Sequence, residues 1–283
     1  MAAAFQTRSE HRCHGGRMGF YSHASAETGT EMRFSVFVPP QAERGPVPAV
    51  YFLAGLTCTE ETFMIKAGAQ RLAAEHGLVL VAPDTSPRGL GLPGEDDDWD
   101  FGTGAGFYLN AAAEPWAPHY RMFAYVNEEL PTLIEAGFPV QAGRRGIMGH
   151  SMGGHGALVI SLREPARWAS VSAFAPISNP VAVPWGEKAF GNYLGPDRAA
   201  WAEWDASALM RRQPRQDAIL VDQGTEDQFL TVQLRPEALE EAAASSGQKL
   251  TLRRQQGYDH SYWFIQTFMA DHMAWHARAL LGA

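Results

Sequence analysis

The sequence predicts an α/β protein: a mostly parallel central sheet with helices on both faces. Three observations predict it. Short runs of strand type alternate with amphipathic helical patterns. Several runs are apolar throughout, as in strands covered on both sides. A Gly-x-Ser-x-Gly stands mid-chain, between one such run and a helix of small residues.

In chain order the strand runs are "RFSVFVP" (33–39), "VPAVYFLAG" (47–55), "LVLVAPD" (78–84), "RGIMGHS" (145–151), "ASVSAFAP" (169–176), "AILVDQG" (218–224) and "LTLRRQQG" (250–257). The connection 40–46 is too short for a crossover, so the first two runs are expected to pair as a hairpin. His11, His14 and His23 are expected to precede the sheet. Helical spacing places Phe63, Ala67, Leu72 and Ala73 on a helix from Glu60 to His76, closed by Gly77. It also places Phe123, Val126, Leu130, Leu133 and Ile134 on a helix over 120–136 that Pro131 should kink. Further helices are read at 237–246, ending before Gly247, and at 262–281, with Ile265, Phe268, Met269 and His272 on one side. Two stretches break the alternation: 85–119, rich in Gly, Pro and aromatics, and 177–208, with Trp185, Trp201 and Trp204. Long aromatic loops are expected to pack and to form a site.

The 283 residues suit a single domain over 1–283 with a sizeable core, since 46% are hydrophobic. A formal charge of −8 argues against binding nucleic acid through phosphate neutralisation. The acidic run Glu95-Asp96-Asp97-Asp98 reads as a solvated loop. Two cysteines, Cys13 and Cys58, give neither metal-ligand spacing nor a disulfide framework. The first residues lack the pattern of a secretory signal. No apolar run reaches the ~18 residues of a membrane span. The expected location is the cytoplasm, with no membrane partner.

The motif is Gly149-His150-Ser151-Met152-Gly153. A Gly-x-Ser-x-Gly between strand and helix makes a sharp turn that lifts the serine hydroxyl clear of the sheet. The helix behind it offers free N–H groups and a positive dipole end to developing negative charge. Ser151 is therefore the candidate nucleophile, the alternative being a helix cap.

A serine hydroxyl needs a base to take its proton. Ten histidines compete. His150 is inside the turn and should point away from the hydroxyl; His155 reads as packing. His260 follows the last strand run, in "GYDHSYW", and a parallel sheet puts that loop at the same carboxyl edge as the serine. The acid should lie between them in sequence. Asp227 follows "AILVDQG" in a loop and is preferred over Asp222, still within the strand, and Glu226. Two donors about 3 Å from the future oxyanion are also needed. The backbone N–H groups of Met152 and of Leu56, in the loop after "VPAVYFL", are the candidates.

With these residues in place the chain resembles the S-formylglutathione hydrolase (esterase D) family over nearly its whole length. The blocks are "FLAGLTCTEETF", "VAPDTSPRG", "WDFGTGAGFYLNA", "HYRMFAYVNEELP", "GHSMGGHGAL", "SAFAPISNP", "PWGEKAFGNYLG", "DQGTEDQFL" and "GYDHSYWFI". The resemblance implies an α/β-hydrolase fold and a triad on Ser151, Asp227 and His260. It implies hydrolysis of the small-molecule thioester S-formylglutathione to formate and glutathione in formaldehyde detoxification. It further implies short-chain esterase activity, a homodimer in many members, and no cofactor or metal. Rival readings are an esterase or acyltransferase for other short acyl esters, and a silent binding module on the same fold.

Substrate-pocket candidates follow. Trp185 either narrows the acyl side or packs. Cys58 resembles a family cysteine near the active site whose modification inhibits, with packing as the alternative. Glutathione carries two carboxylates, so an acidic protein that binds it needs a local basic spot. Lys66, Arg88 and Lys188 are candidates, or else ordinary surface charges.

Overall fold

The structure, a computed structural model, describes residues 5–282. Its strands are β1 (Gln6–Cys13), β2 (Gly16–Ala24), β3 (Glu31–Val38), β4 (Val47–Leu53), β5 (Val79–Pro83), β6 (Val140–His150), β7 (Ser170–Phe174), β8 (Ile219–Gly224) and β9 (Leu250–Gln255). They form one sheet in the order β1-β2-β3-β5-β4-β6-β7-β8-β9. From β5 through β4 to β9 every pairing is parallel, whereas β1–β2, β2–β3 and β3–β5 are antiparallel.

Two expectations about the first strands fail. β3 and β4 are not a hairpin: β5 lies between them and pairs with both. The histidines placed ahead of the sheet belong to it, His11 on β1 and His23 on β2. β1 has no buried residue, so it carries no apolar signal. Its turn into β2 holds His14 and Gly15 at positive φ (47° and 77°), as a two-residue hairpin requires.

The helices are α1 (Glu60–Lys66), α2 (Ala69–His76), α3 (Met122–Ala124), α4 (Leu130–Gly137), α5 (Met152–Arg163), α6 (Pro184–Tyr193), α7 (Arg198–Trp201), α8 (Ala206–Arg212), α9 (Glu237–Ser246) and α10 (Tyr262–Leu281). The helix expected over 60–76 is two helices, broken at Gly68 in the left-handed conformation; Gly77 does close the second. Pro131 is accommodated by a wide turn over Tyr125–Glu129 between α3 and α4. Proline has no N–H for the carbonyl four residues back. The Asn127 carbonyl accepts instead from the Arg167 guanidinium at 2.7 Å.

Helices cover both faces of the sheet. Gly146 and Gly149 are three apart on β6 and so face opposite ways. A Cβ on Gly146 would meet His276 of α10; one on Gly149 would meet Gly153 of α5. Residues 177–208 hold three helices rather than a loop. Residues 85–119 are irregular but packed, with Phe101, Trp116, Tyr120 and Tyr193 in mutual ring contact. Glu95, expected in a solvated loop, is buried and accepts from the amides of Gly91 and Leu92. Among the described residues no helix is long and apolar enough to cross a membrane.

Candidate active site

The carboxyl ends of β4, β6, β8 and β9 supply the site. β6 ends at His150, and α5 starts at Met152. Ser151 between them has φ 57° and ψ −120°, a conformation that costs a non-glycine residue about 1–3 kcal/mol. Neighbouring backbone holds it there. Its N–H donates to the Phe174 carbonyl at 3.0 Å, and its carbonyl accepts from the His155 amide at 3.0 Å. A Cβ on Gly153 would overlap the Leu53 carbonyl, so the turn can approach β4 only with glycine at that position.

Asp227 and His260 come from the loops after β8 and β9, and these loops are tied to each other. The Glu226 amide donates to the Tyr258 carbonyl at 2.9 Å, and the Gly257 amide to Oγ1 of Thr225 at 2.9 Å. The result is a 2.6 Å hydrogen bond from Nδ1 of His260 to Oδ2 of Asp227. The buried carboxylate also accepts from the Phe229 amide at 2.9 Å and from Nε2 of Gln223 at 3.2 Å. With Nδ1 as donor to Asp227, Nε2 of His260 is left as the acceptor, the atom a base needs. No hydrogen bond joins Oγ of Ser151 to His260, but both side chains line one cavity of about 240 Å³. Such contacts commonly close only with substrate bound.

Asp222, weighed as the acid, belongs to a different network. It accepts from Arg253 of β9 at 2.6 Å and faces Nε2 of His272 on α10 at 3.2 Å. Burial alone would raise its carboxyl, but His272 and Arg253 outweigh it and hold the group below its usual range.

The Leu56 loop is held at several points. Tyr108 donates through its hydroxyl to the Ala54 carbonyl at 2.9 Å, and the Thr57 amide donates to Gly104 at 3.0 Å. The Cys58 carbonyl accepts from Oγ1 of Thr85 and from Arg88. Leu56 lines the cavity, and Met152 opens α5, where its amide has no acceptor within the helix.

Aromatic rings close the walls. Trp99 meets Trp185 edge-on at 5.7 Å; Trp185 meets Phe229 at 4.7 Å; Phe229 stands edge-on to His260 at 5.0 Å. His150, expected to point away from the Ser151 hydroxyl, still belongs to the site. Its ring lies 4.4 Å from that of His260, and it lines the same cavity. Burial, and then the nearby His260, push its imidazole well below the usual range, so it is neutral. Trp99, Phe229 and Tyr262 were missed as site residues. Phe229 and Tyr262 stand two residues after Asp227 and His260, and Trp99 lies in the aromatic stretch 85–119, so position relative to the candidate triad was the signal that could have found them.

Of the other candidates, Cys58 and Lys66 line the cavity and Trp185 walls it. The Cys58 thiol is a free cysteine, and burial pushes it above its usual value despite Thr62 and Lys66 nearby. Arg88 pairs with Asp84, and Lys188 with Asp98 and Asp100, so neither is a free basic spot.

A strand–serine–helix turn at the carboxyl edge of a parallel sheet, with a carboxylate–imidazole pair from later strand ends beside it, is the architecture of the α/β-hydrolases. The Esterase family model, described as "Putative esterase", matches residues 25–278. The mouse S-formylglutathione hydrolase is 54% identical over 279 residues, covering 98% of this chain and 99% of that protein. The protein of the same name from Paracoccus denitrificans is 53% identical over 280 residues, covering 99% and 100%. The solved S-formylglutathione hydrolase of Agrobacterium tumefaciens superposes with a TM-score of 0.95 at 50% identity, covering 97% of this chain and 99% of that one. This chain belongs to the S-formylglutathione hydrolase family.

Proposed function

We infer that this protein hydrolyses S-formylglutathione to formate and glutathione through a formyl-serine intermediate, and that it also cleaves short-chain carboxylesters. One observation carries the assignment of roles: the 2.6 Å Asp227–His260 hydrogen bond beside Ser151 in one cavity. The relatives that bear the name of this activity supply the substrate.

In this reading Oγ of Ser151 attacks the formyl carbon while Nε2 of His260 takes the hydroxyl proton. Asp227 keeps the imidazole in the required tautomer and stabilises its cation. The Leu56 and Met152 amides receive the oxyanion. Collapse of the tetrahedral intermediate breaks the carbon–sulfur bond, and His260 returns the proton to the departing glutathione sulfur. Water then attacks formyl-Ser151, with its proton going to His260. Collapse releases formate and restores the serine hydroxyl. The formyl group is a single carbon, and a bulky Trp185 in the cavity wall suits so small an acyl side.

A cytoplasmic location and a homodimer are also part of the proposal. The first rests on two free thiols, Cys13 and Cys58, and the second on the family resemblance. Comparing kcat/KM for S-formylglutathione with that for an acetyl ester tests the substrate. Preference for the ester by about an order of magnitude would overturn the thioester reading. Fluorophosphonate labelling that spares Ser151 would overturn the nucleophile.

A further inference from the structure

S-Formylglutathione presents a one-carbon acyl group and a large leaving group with two carboxylates. Most of what the enzyme can recognise is therefore the departing thiol. The protein carries a net charge of −8, so its overall field repels an anionic thiol. Local attraction must come from a cation that no protein carboxylate already holds.

At this site Lys66 fits that requirement. It sits in the last turn of α1, lines the Ser151 cavity, and makes no salt bridge among the described residues. Its ammonium stands 5.8 Å from the Tyr262 ring centroid. That ring forms the wall between Lys66 and the His150–His260 pair, 6.0 Å from His150. Arg88 and Lys188, the other basic candidates, differ, being held by Asp84 and by Asp98 with Asp100. Leu56, Trp99 and Trp185 line the same cavity as Lys66, so its walls are largely apolar. Low-polarity surroundings strengthen an ion pair over one formed in open water.

We propose that Lys66 binds a terminal carboxylate of the thiol leaving group, and so selects peptide thioesters over neutral ones. This rests on the thioester reading above and names the group that recognises the leaving half. The pair adds nothing to bond breaking: it forms with substrate and persists in the transition state. Its loss should therefore raise KM and leave kcat nearly unchanged.

The test compares wild type, Lys66→Met and Lys66→Arg on S-formylglutathione, its glycyl monoethyl ester and its diethyl ester. The expected result is a rise in KM for S-formylglutathione of roughly twofold to fivefold in Lys66→Met, as for an exposed ion pair. Lys66→Arg should restore most of it. The wild-type advantage of the free acid over the diethyl ester should shrink by the same factor, and added salt should erode it. Whether the monoethyl ester keeps the effect tells which carboxylate pairs. An equal KM rise on the diethyl ester would overturn the proposal, as would an unchanged KM on the free acid. Failure of the thioester reading itself would show separately, as a low wild-type kcat/KM on S-formylglutathione whatever residue stands at position 66.

Discussion

Oδ2 of Asp227 lies 2.6 Å from Nδ1 of His260, and the loops that carry the two residues are hydrogen-bonded to each other. The pair is thus fixed before any substrate arrives. Replacing the carboxylate by an amide keeps the shape but loses the fixed tautomer. Asp227→Asn should lower kcat by about 10⁴ with little change in KM. Steady-state kinetics check this, and a loss below tenfold would remove Asp227 from its role.

Ser151 holds a backbone conformation that suits glycine. Ser151→Gly should therefore abolish turnover, with a kcat loss of about 10⁶, while making the fold more stable. Relief of about 1 kcal/mol corresponds to a rise of about 2 °C in Tm. A calorimetric scan and a rate assay on the same sample test both halves. A lower Tm would mean that the turn carries no strain.

Gly153 faces the Leu53 carbonyl where a Cβ would fall. Backbone cannot yield as a flexible side chain can. Gly153→Ala should destabilise the fold by about 1–3 kcal/mol and displace the serine, reducing kcat. A urea midpoint equal to wild type would contradict the close approach.

The Cys58 thiol is raised by burial, so little thiolate exists at neutral pH. Iodoacetamide should alkylate Cys58 more slowly than free cysteine at pH 7, with a rate still climbing above pH 9. Mass spectrometry of the labelled peptide follows it. Fast labelling that is flat across pH 7–9 would show an activated thiolate instead.

Burial pushes the imidazoles of His155 and His276 down to about 4 and about 3. The unfolded chain binds protons at these residues below about pH 6.5, whereas the native state does not. Their contribution is therefore complete above about pH 7. It declines as pH falls from about 6.5 toward the native values, by up to about 1.4 kcal/mol per pH unit for each histidine. Unfolding at pH 5.5 should take up about two protons from this source. Calorimetry in buffers of different ionisation heat measures the uptake, and zero uptake would contradict two neutral buried imidazoles.

The sequence displayed most of the parallel half of the sheet, because strands buried on both faces read as apolar runs. β1 was invisible for the opposite reason: its side chains face solvent, and only the His14-Gly15 turn marks it. The β3–β4 hairpin was a wrong inference from loop length, since a short connection also allows a strand to step past a later one. Ser151, Asp227 and His260 were legible because each has a fixed place relative to a strand end. The orientation of His150 was not, because it depends on where the His260 loop lands. Trp99 was hidden because its segment is distant from the triad in sequence, whereas Phe229 and Tyr262 lie two residues from Asp227 and His260 and could have been found.

β9 is the last strand of the sheet, only partly covered, and its loop carries His260; the serine turn sits on central β6. The proposed nucleophile and base thus belong to regions of unequal resistance to opening. Fraying that lifts β9 away from β8 would part the imidazole from its carboxylate while the centre of the sheet stays intact. Hydrolysis is then the first property the molecule surrenders in mild denaturant, and the melting of the core lags behind it.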